Sequence, residues 1–151
     1  MSKIKVLLVE DHTIVRKGLR SLLDAEPEIE VVGEAEDGRQ AVERVKQLAP
    51  DVVLMDITMP VLNGLEATRQ IKKTHPATRV LILTVHSTEE YIFQILRAGA
   101  SGYLQPDTYW AGGISEMLKI AALTSTYDLV LIPHGHSVPA NAQLTAALPP
   151  V

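Results

Sequence analysis

Short apolar runs alternate with longer amphipathic segments along the first two thirds of the chain. The runs are nearly continuous, which is typical of parallel strands buried on both faces. The segments between them carry apolar residues at helical spacing, so each is predicted to form a helix. The pattern predicts five strands, Ile4–Val9, Glu30–Ala35, Val52–Asp56, Val80–Thr84 and Gly102–Gln105, and four helices, Thr13–Ala25, Gly38–Leu48, Gly64–Thr74 and Thr88–Ala98.

The apolar residues also indicate which side of a helix faces the sheet. In the first helix the predicted inward positions are Ile14, Leu19, Leu22 and Leu23. In the second helix they are Ala41, Val42, Val45 and Leu48. Gly99 follows the fourth helix and is suited to its C-terminal cap, because glycine tolerates a left-handed backbone there.

Strands that alternate with single helices imply right-handed parallel crossovers. The predicted fold is therefore α/β, a flavodoxin-like three-layer sandwich with strand order 2-1-3-4-5. Ligands of such sheets bind beyond the carboxyl ends of the strands. Polar residues stand at that edge here, since Glu10, Asp11, Asp56 and Thr84 each end or follow an apolar strand.

The remainder of the chain continues the same pattern. Gly113–Ser125 is predicted to be a helix, Leu129–Ile132 a sixth strand and Pro139–Leu148 a short last helix. No Ser/Gly-rich linker interrupts the chain, so residues 1–151 are expected to form a single domain. The sixth strand is expected to extend the sheet beside strand five in a monomer; exchange of that strand within a dimer is the alternative.

Composition narrows the class of protein. Hydrophobic residues make up 46% of the 151 residues, enough for a core, and the net charge of −4 argues against a nucleic-acid-binding surface. No apolar run reaches membrane-spanning length, so we expect no membrane partner. The chain has no Cys, which excludes disulfides and fits a cytoplasmic location.

Three carboxylates are expected to meet at one edge of the sheet. Glu10 and Asp11 follow strand one and Asp56 ends strand three. Because such groups repel one another, a hard divalent cation such as Mg²⁺ is the natural ligand for them. A carboxylate in this setting can also attack a phosphoryl group and form an acyl phosphate.

At this point the sequence resembles a known family. Residues 1–105 are similar to the receiver domain of two-component response regulators, in the subgroup usually followed by a helix-turn-helix. The matching stretches are Val6-Leu7-Leu8-Val9-Glu10-Asp11-His12, Asp51-Val52-Val53-Leu54-Met55-Asp56-Ile57-Thr58-Met59-Pro60, Asn63-Gly64-Leu65-Glu66, Leu83-Thr84 and Ala98-Gly99-Ala100-Ser101-Gly102-Tyr103-Leu104.

The resemblance implies a role for each polar residue at the edge. Asp56 would be the phospho-acceptor, and it would bind Mg²⁺ together with Asp11. Glu10 would belong to the same pocket, and Thr58 would add its backbone carbonyl. Thr84 would hydrogen-bond the phosphoryl group.

Two further features come from the resemblance. Tyr103 matches the aromatic residue whose rotamer responds to the threonine on strand four. Receivers carry a lysine three residues after that aromatic residue, but Pro106 stands at this position. Proline brings no cation to the phosphoryl group, so we expect Mg²⁺ binding to persist and signalling by phosphorylation to be lost.

Residues 104–151 resemble a different family, the enolase superfamily, and within it the acid-sugar dehydratases of the rhamnonate type. The resemblance lies in the stretches 104–119 and 132–137. It implies an acid/base dyad of Asp107 and His134. The metal ligands of that barrel are missing, so the dyad is expected to be inactive. His134 and His136 could also bind a transition metal, although two ligands at this spacing more often form a solvated pair.

Two hypotheses follow. The first is an engineered chimera, with residues 1–105 derived from a receiver and residues 106–151 from a (β/α)₈ barrel, which is not an enzyme and has no native activity or certain partner. The alternative is a stand-alone phospho-acceptor receiver domain of a two-component system.

Overall fold

The computed structural model describes residues 3–84 and 89–104, and within them strands and helices alternate as the sequence predicts. The elements, numbered in chain order, are β1 (Ile4–Val9), α1 (Thr13–Asp24), β2 (Ile29–Ala35), α2 (Gly38–Leu48), β3 (Val52–Asp56), α3 (Gly64–Thr74), β4 (Arg79–Leu83), α4 (Glu89–Arg97) and β5 (Gly102–Leu104). The predicted sixth strand, the segments around it and the single-domain extent lie outside the described residues.

The strands form one parallel sheet in the order β2-β1-β3-β4-β5, which confirms the predicted flavodoxin-like topology. The register aligns Val9 of β1 with Met55 of β3, and Asp56 of β3 with Leu83 of β4. Three neighbouring strands therefore end at nearly the same level. The residues that follow them are brought to one edge of the sheet by the backbone alone.

Two apolar cores lie on opposite faces of the sheet, because successive strand residues point to alternate sides. On one face, Leu7 and Val9 of β1 pack in a cluster that also contains buried residues of α2, α3 and α4. On the other face, Val6 and Leu8 pack in a cluster with Leu19 and Leu23 of α1. Helices thus cover both faces, as a three-layer sandwich requires.

The inward face of α1 differs from the prediction. Leu19 and Leu23 are buried, but Ile14 is 87% exposed and Leu22 is also exposed. The third buried position is Arg16, which adds a charged residue to the buried side of the helix. Arg16 tolerates burial because its guanidinium group makes hydrogen bonds to β2 and to the end of β1.

The other helix predictions agree with the structure. In α2, Ala41 and Val45 are buried, and Val42 and Leu48 pack against the same core. Gly99 has a φ of 89°, and its N–H group donates to the carbonyl of Leu96, as expected of a C-terminal cap. Among residues 3–84 and 89–104, no helix has both the length and the apolar character needed to cross a membrane.

Candidate functional site

The candidate site lies at the carboxyl edge of the sheet, where β1, β3 and β4 end side by side. Glu10 follows β1 directly and is buried, while Asp56 is the last residue of β3 and is half-buried. Thr84 follows β4 and is buried. The register of the strands therefore brings these three predicted residues to one edge.

Glu10, Asp11 and His12 form the tightest part of the site. One potential ligand atom from each lies within 4.8 Å of the others. The Oε1 atom of Glu10 accepts a hydrogen bond from the backbone N–H of His12 at 3.0 Å and lies 2.9 Å from His12 Nδ1. The hydrogen bond to Glu10, followed by the charge of Asp11, raises the pKa of the exposed His12 side chain.

Asp11 carries an unsatisfied oxygen. Its Oδ1 atom lies 3.0 Å from His12 Nδ1, yet it is buried and accepts no hydrogen bond within the part of the chain that the structure describes. A buried carboxylate oxygen without a donor is costly in free energy, and a cation would offset that cost. The donor set at this edge is rich in carboxylate oxygen, which suits Mg²⁺. These residues therefore fit the predicted metal.

Asp56 is electrostatically coupled to the pair on the neighbouring strand. Its pKa rises from 3.8 to about 6, first because burial penalises the charged carboxylate and then because the charge of Glu10 repels it. A backbone hydrogen bond from Ile57 acts in the opposite direction, and the charge of Asp11 adds to the rise. Burial and the neighbouring carboxylates together therefore disfavour the charged form of Asp56.

The loop after Asp56 folds back against the end of β3. The N–H of Gly64 donates to the carbonyl of Ile57 at 2.9 Å. A Cβ atom on Gly64 would collide with the backbone carbonyl of Asp56, so this approach requires glycine. Asn63 then caps α3, accepting a hydrogen bond from the N–H of Glu66. The loop thus holds the backbone around Asp56 in one arrangement.

The remaining predicted residues occupy different environments. Thr58 lies exposed in the loop after β3. Tyr103 lies in β5 opposite Ile82 of β4 and is fully buried in the core, and this burial raises the pKa of its hydroxyl group. Asp107 and His134, the predicted barrel dyad, lie outside the described residues, as do Pro106 and His136.

Two residues of the site had no role assigned from the sequence. His12 directly follows the acidic pair, and its position in the motif was the only signal for it. Arg16 was hidden by the helical pattern, because a charged residue on the buried face contradicts an apolar stripe. An arginine in line with Leu19 and Leu23 on the helix, one turn after an acidic motif, is the sequence signal that points to it.

Comparisons with known proteins identify the family of this fold. The family model of the response regulator receiver domain matches residues 6–107. The transcriptional regulatory protein DegU of Brevibacillus brevis is 43% identical over 133 residues, covering 88% of this chain and 56% of DegU. The chain spans about half the length of the curated relatives it matches.

Solved structures give the same result. The signal receiver domain of a Mycobacterium tuberculosis response regulator superposes with a TM-score of 0.75 at 31% identity, covering 83% of this chain and 98% of that domain. The receiver domain of RcsB from Salmonella enterica serovar Typhimurium, solved with the phosphomimetic BeF₃⁻, has a TM-score of 0.69 at 25% identity. The match covers 82% of this chain and 89% of the RcsB domain.

The expectation of an engineered chimera without native activity is wrong. The family model continues through Pro106 to residue 107, and the matched relatives are named transcriptional regulatory proteins and response regulators. The comparisons give no support to an enolase-superfamily segment. The fold, the acidic edge and these matches lead to one conclusion: the chain belongs to the response regulator receiver domain family.

Proposed function

We propose that this chain is the phospho-acceptor receiver domain of a two-component response regulator and that Asp56 is the residue phosphorylated. Asp11 and Asp56 are the carboxylate ligands of Mg²⁺ in this proposal. Glu10 lies in the same pocket, and Thr58 contributes its backbone carbonyl. Each Asp56 accepts one phosphoryl group, so the domain acts stoichiometrically.

The observation that carries the proposal is the cluster of carboxylates at the carboxyl edge of the sheet. Among the described residues, the buried Oδ1 atom of Asp11 accepts no hydrogen bond, although His12 Nδ1 lies 3.0 Å away. The charge of Glu10 contributes to the raised pKa of Asp56. Both features mark a pocket arranged for a cation. Asp56 itself is only half-buried, which leaves its carboxylate accessible to a phosphodonor.

The reaction is a single displacement at phosphorus. A carboxylate oxygen of Asp56 attacks the phosphorus atom of the donor, and a P–O bond forms as the bond to the leaving group breaks. With acetyl phosphate as donor, acetate leaves with the bonding electrons and Asp56 becomes an acyl phosphate. When bound, Mg²⁺ offsets the negative charge of the pocket and of the transferred group.

The two residues on the far strands transmit the change. Thr84 hydrogen-bonds the phosphoryl group from the end of β4. Tyr103 on β5, whose ring is already buried, responds to the position of Thr84. Since the curated relatives are named transcriptional regulatory proteins, we propose that this response controls transcription through a further part of the full-length protein. The net charge of −4 does not favour nucleic-acid binding by the receiver itself.

Pro106 limits the rate of the reaction. It stands where the family resemblance expects a lysine, and proline supplies no positive charge to the phosphoryl group. Loss of one preorganised charge typically slows such a reaction by about 10²-fold or more. We therefore propose slow phosphorylation of the wild type, and faster phosphorylation of Pro106→Lys.

The test is intact-protein mass spectrometry after incubation with acetyl phosphate and Mg²⁺. We expect one added phosphoryl group in the wild type, faster addition in Pro106→Lys, and none in Asp56→Asn in either background. Asp51→Asn is the matched control, because Asp51 is an exposed aspartate at the opposite end of β3. Addition to Asp56→Asn, or no addition to wild type and Pro106→Lys alike, contradicts the proposal.

A further inference from the structure

Arg16 is a buried arginine beside the acidic pocket, and each of the three nitrogen atoms of its guanidinium group donates a hydrogen bond. Nη1 donates to the backbone carbonyl of Glu10 at 2.6 Å. Nε donates to Glu34 at 3.1 Å, and Nη2 donates to Glu36 at 2.7 Å. The side chain of Arg16 is only 9% exposed. Its guanidinium group therefore connects α1 to three places: the end of β1 at Glu10, strand β2 at Glu34, and Glu36 just after β2.

Hydrogen bonds hold the backbone on both sides of Glu10. The N–H of Glu10 donates to the carbonyl of Ala35 on β2 at 3.1 Å. Its carbonyl accepts the short, charge-assisted hydrogen bond from Arg16. Because the backbone N–H and the backbone carbonyl of Glu10 are both hydrogen-bonded, the direction in which the chain enters Asp11 is also fixed. The position of the unsatisfied Asp11 carboxylate depends on that direction.

We propose that Arg16 is a positioning residue for the Mg²⁺ pocket, acting through the backbone of Glu10. The inference rests on the proposed function, since it assumes that Asp11 binds the metal. Arg16 does not neutralise the pocket itself, because its charge is matched by Glu34 and Glu36. Residues that orient a metal ligand typically change metal affinity by about 10–100-fold when they are removed.

Electrostatics alone predicts the opposite effect. If Arg16 acted only as a nearby positive charge, its removal would strengthen the binding of a cation to the pocket. If Arg16 positions Asp11, its removal weakens that binding although the protein becomes more negative. The sign of the change in Mg²⁺ affinity therefore separates the two roles.

Arg20 provides a matched control on the same helix. It contacts the same Glu34 carboxylate at 3.1 Å, and its other partner is Asp24 at 2.9 Å. Its side chain is 37% exposed, and none of its hydrogen bonds reaches Glu10. Arg20→Gln thus removes the same charge from α1 and leaves the peptide at Glu10 in place.

The experiment is isothermal titration calorimetry with Mg²⁺ on the full chain, with circular dichroism to confirm folding at the titration temperature. We expect Arg16→Gln to weaken Mg²⁺ binding by about tenfold. Arg20→Gln should stay within about twofold of the wild type, because exposed ion pairs are screened. Arg16→Lys keeps the charge but loses the planar fork, so we expect it also to bind Mg²⁺ several-fold more weakly.

Each outcome bears on a different statement. If Arg16→Gln binds Mg²⁺ as tightly as Arg20→Gln, or more tightly, the positioning role is overturned while the proposed function stands. If Arg16→Gln does not fold, Arg16→Lys decides: affinity equal to the wild type overturns the inference. If the wild type itself takes up no Mg²⁺, the metal site of the proposed function fails, and the inference fails with it.

Discussion

At the scale of single residues, the site has carboxylates in partly buried positions, where a negative charge lowers the stability of the fold. Asp56 sits half-buried at a strand end, beside the buried Glu10 and the partly buried Asp11. Its raised pKa follows first from burial and then from the repulsion by Glu10. The same arrangement that suits a cation therefore destabilises the metal-free fold at neutral pH.

The stability of the metal-free protein should reveal this cost. Because the pKa of Asp56 is about 6 when folded and 3.8 ordinarily, the folded state binds the proton more tightly, and stability falls as pH rises through this interval. We expect Asp56→Asn, in EDTA at about pH 8, to raise the free energy of unfolding by roughly 1 kcal/mol after allowing for solvent screening. Urea unfolding measures this difference in the free energy of unfolding. A gain that is as large near pH 4 as at pH 8 would contradict the raised pKa of Asp56.

Val61 shows a second local cost, in the loop between β3 and α3. It is a β-branched residue with a φ of 66°, and its side chain is exposed, so little packing is lost on truncation. A left-handed backbone costs such a residue about 1–2 kcal/mol, and glycine avoids most of it. We expect Val61→Gly to raise the free energy of unfolding by roughly 0.5–1 kcal/mol, net of the greater chain entropy of glycine.

Val15 supplies the control for this substitution. It is an exposed valine within α1, where the backbone is helical, so glycine should lower stability by about 0.5–1 kcal/mol. Opposite signs for the two variants in chemical denaturation would support backbone strain at Val61. Destabilisation by both substitutions would argue against it.

At the scale of elements, the hydrophobic pattern alone predicts the helices and strands well. β1, α2, β3 and α3 have the predicted bounds, and α1 ends one residue before the prediction. The first and last residues of a buried strand can be predicted closely, because they coincide with the ends of a continuous apolar run. The inward face of α1 was less predictable, because the burial of Arg16 depends on acidic residues that only the folded sheet brings near. Helix ends depend on backbone conformation, which residue type indicates only weakly.

The ends of α1 and α2 offer a direct test of that last point. The residue that follows each helix is an exposed alanine, Ala25 with a φ of −73° after α1 and Ala49 with a φ of 43° after α2. Only the second has the left-handed conformation that favours glycine. We expect Ala49→Gly to stabilise the protein by about 0.4–1 kcal/mol and Ala25→Gly to destabilise it by a similar amount. Thermal unfolding of both variants measures the difference; equal shifts would contradict the cap geometry.

At the scale of the whole molecule, several motifs on separate strands converge on one edge, and this convergence made the receiver assignment predictable. Glu10, Asp56 and Thr84 are distant in sequence, and the strand order β2-β1-β3-β4-β5 brings them to one edge. The segment after residue 104 offered no such convergence. A short βα stretch resembles many α/β folds, because they share apolar periodicity and crossover geometry. The barrel interpretation rested on a resemblance of two short stretches, 104–119 and 132–137, and the comparisons give it no support.

If the pocket is a metal site, Mg²⁺ binding and folding are linked across the whole domain. A ligand that binds only the folded state raises the free energy of unfolding, by about 2.7 kcal/mol at 100 times its dissociation constant. We expect this gain for the wild type in urea unfolding at constant ionic strength. The gain should shrink as pH falls below about 6, because Asp56 then binds a proton in place of the metal.

Two aspartate variants locate the linkage within the molecule. Asp11→Asn removes the charge of the carboxylate whose Oδ1 atom accepts no hydrogen bond from the described residues, so most of the Mg²⁺ gain should disappear. Asp51→Asn removes a charge from the opposite edge of the sheet, where the carboxylate accepts a hydrogen bond from the N–H of Lys5, and the gain should remain. An ion bound at the carboxyl edge should be affected by the change at Asp11 and not by the change at Asp51. Equal gains in the free energy of unfolding for the two variants would therefore mean that Mg²⁺ responds only to the net charge of the protein.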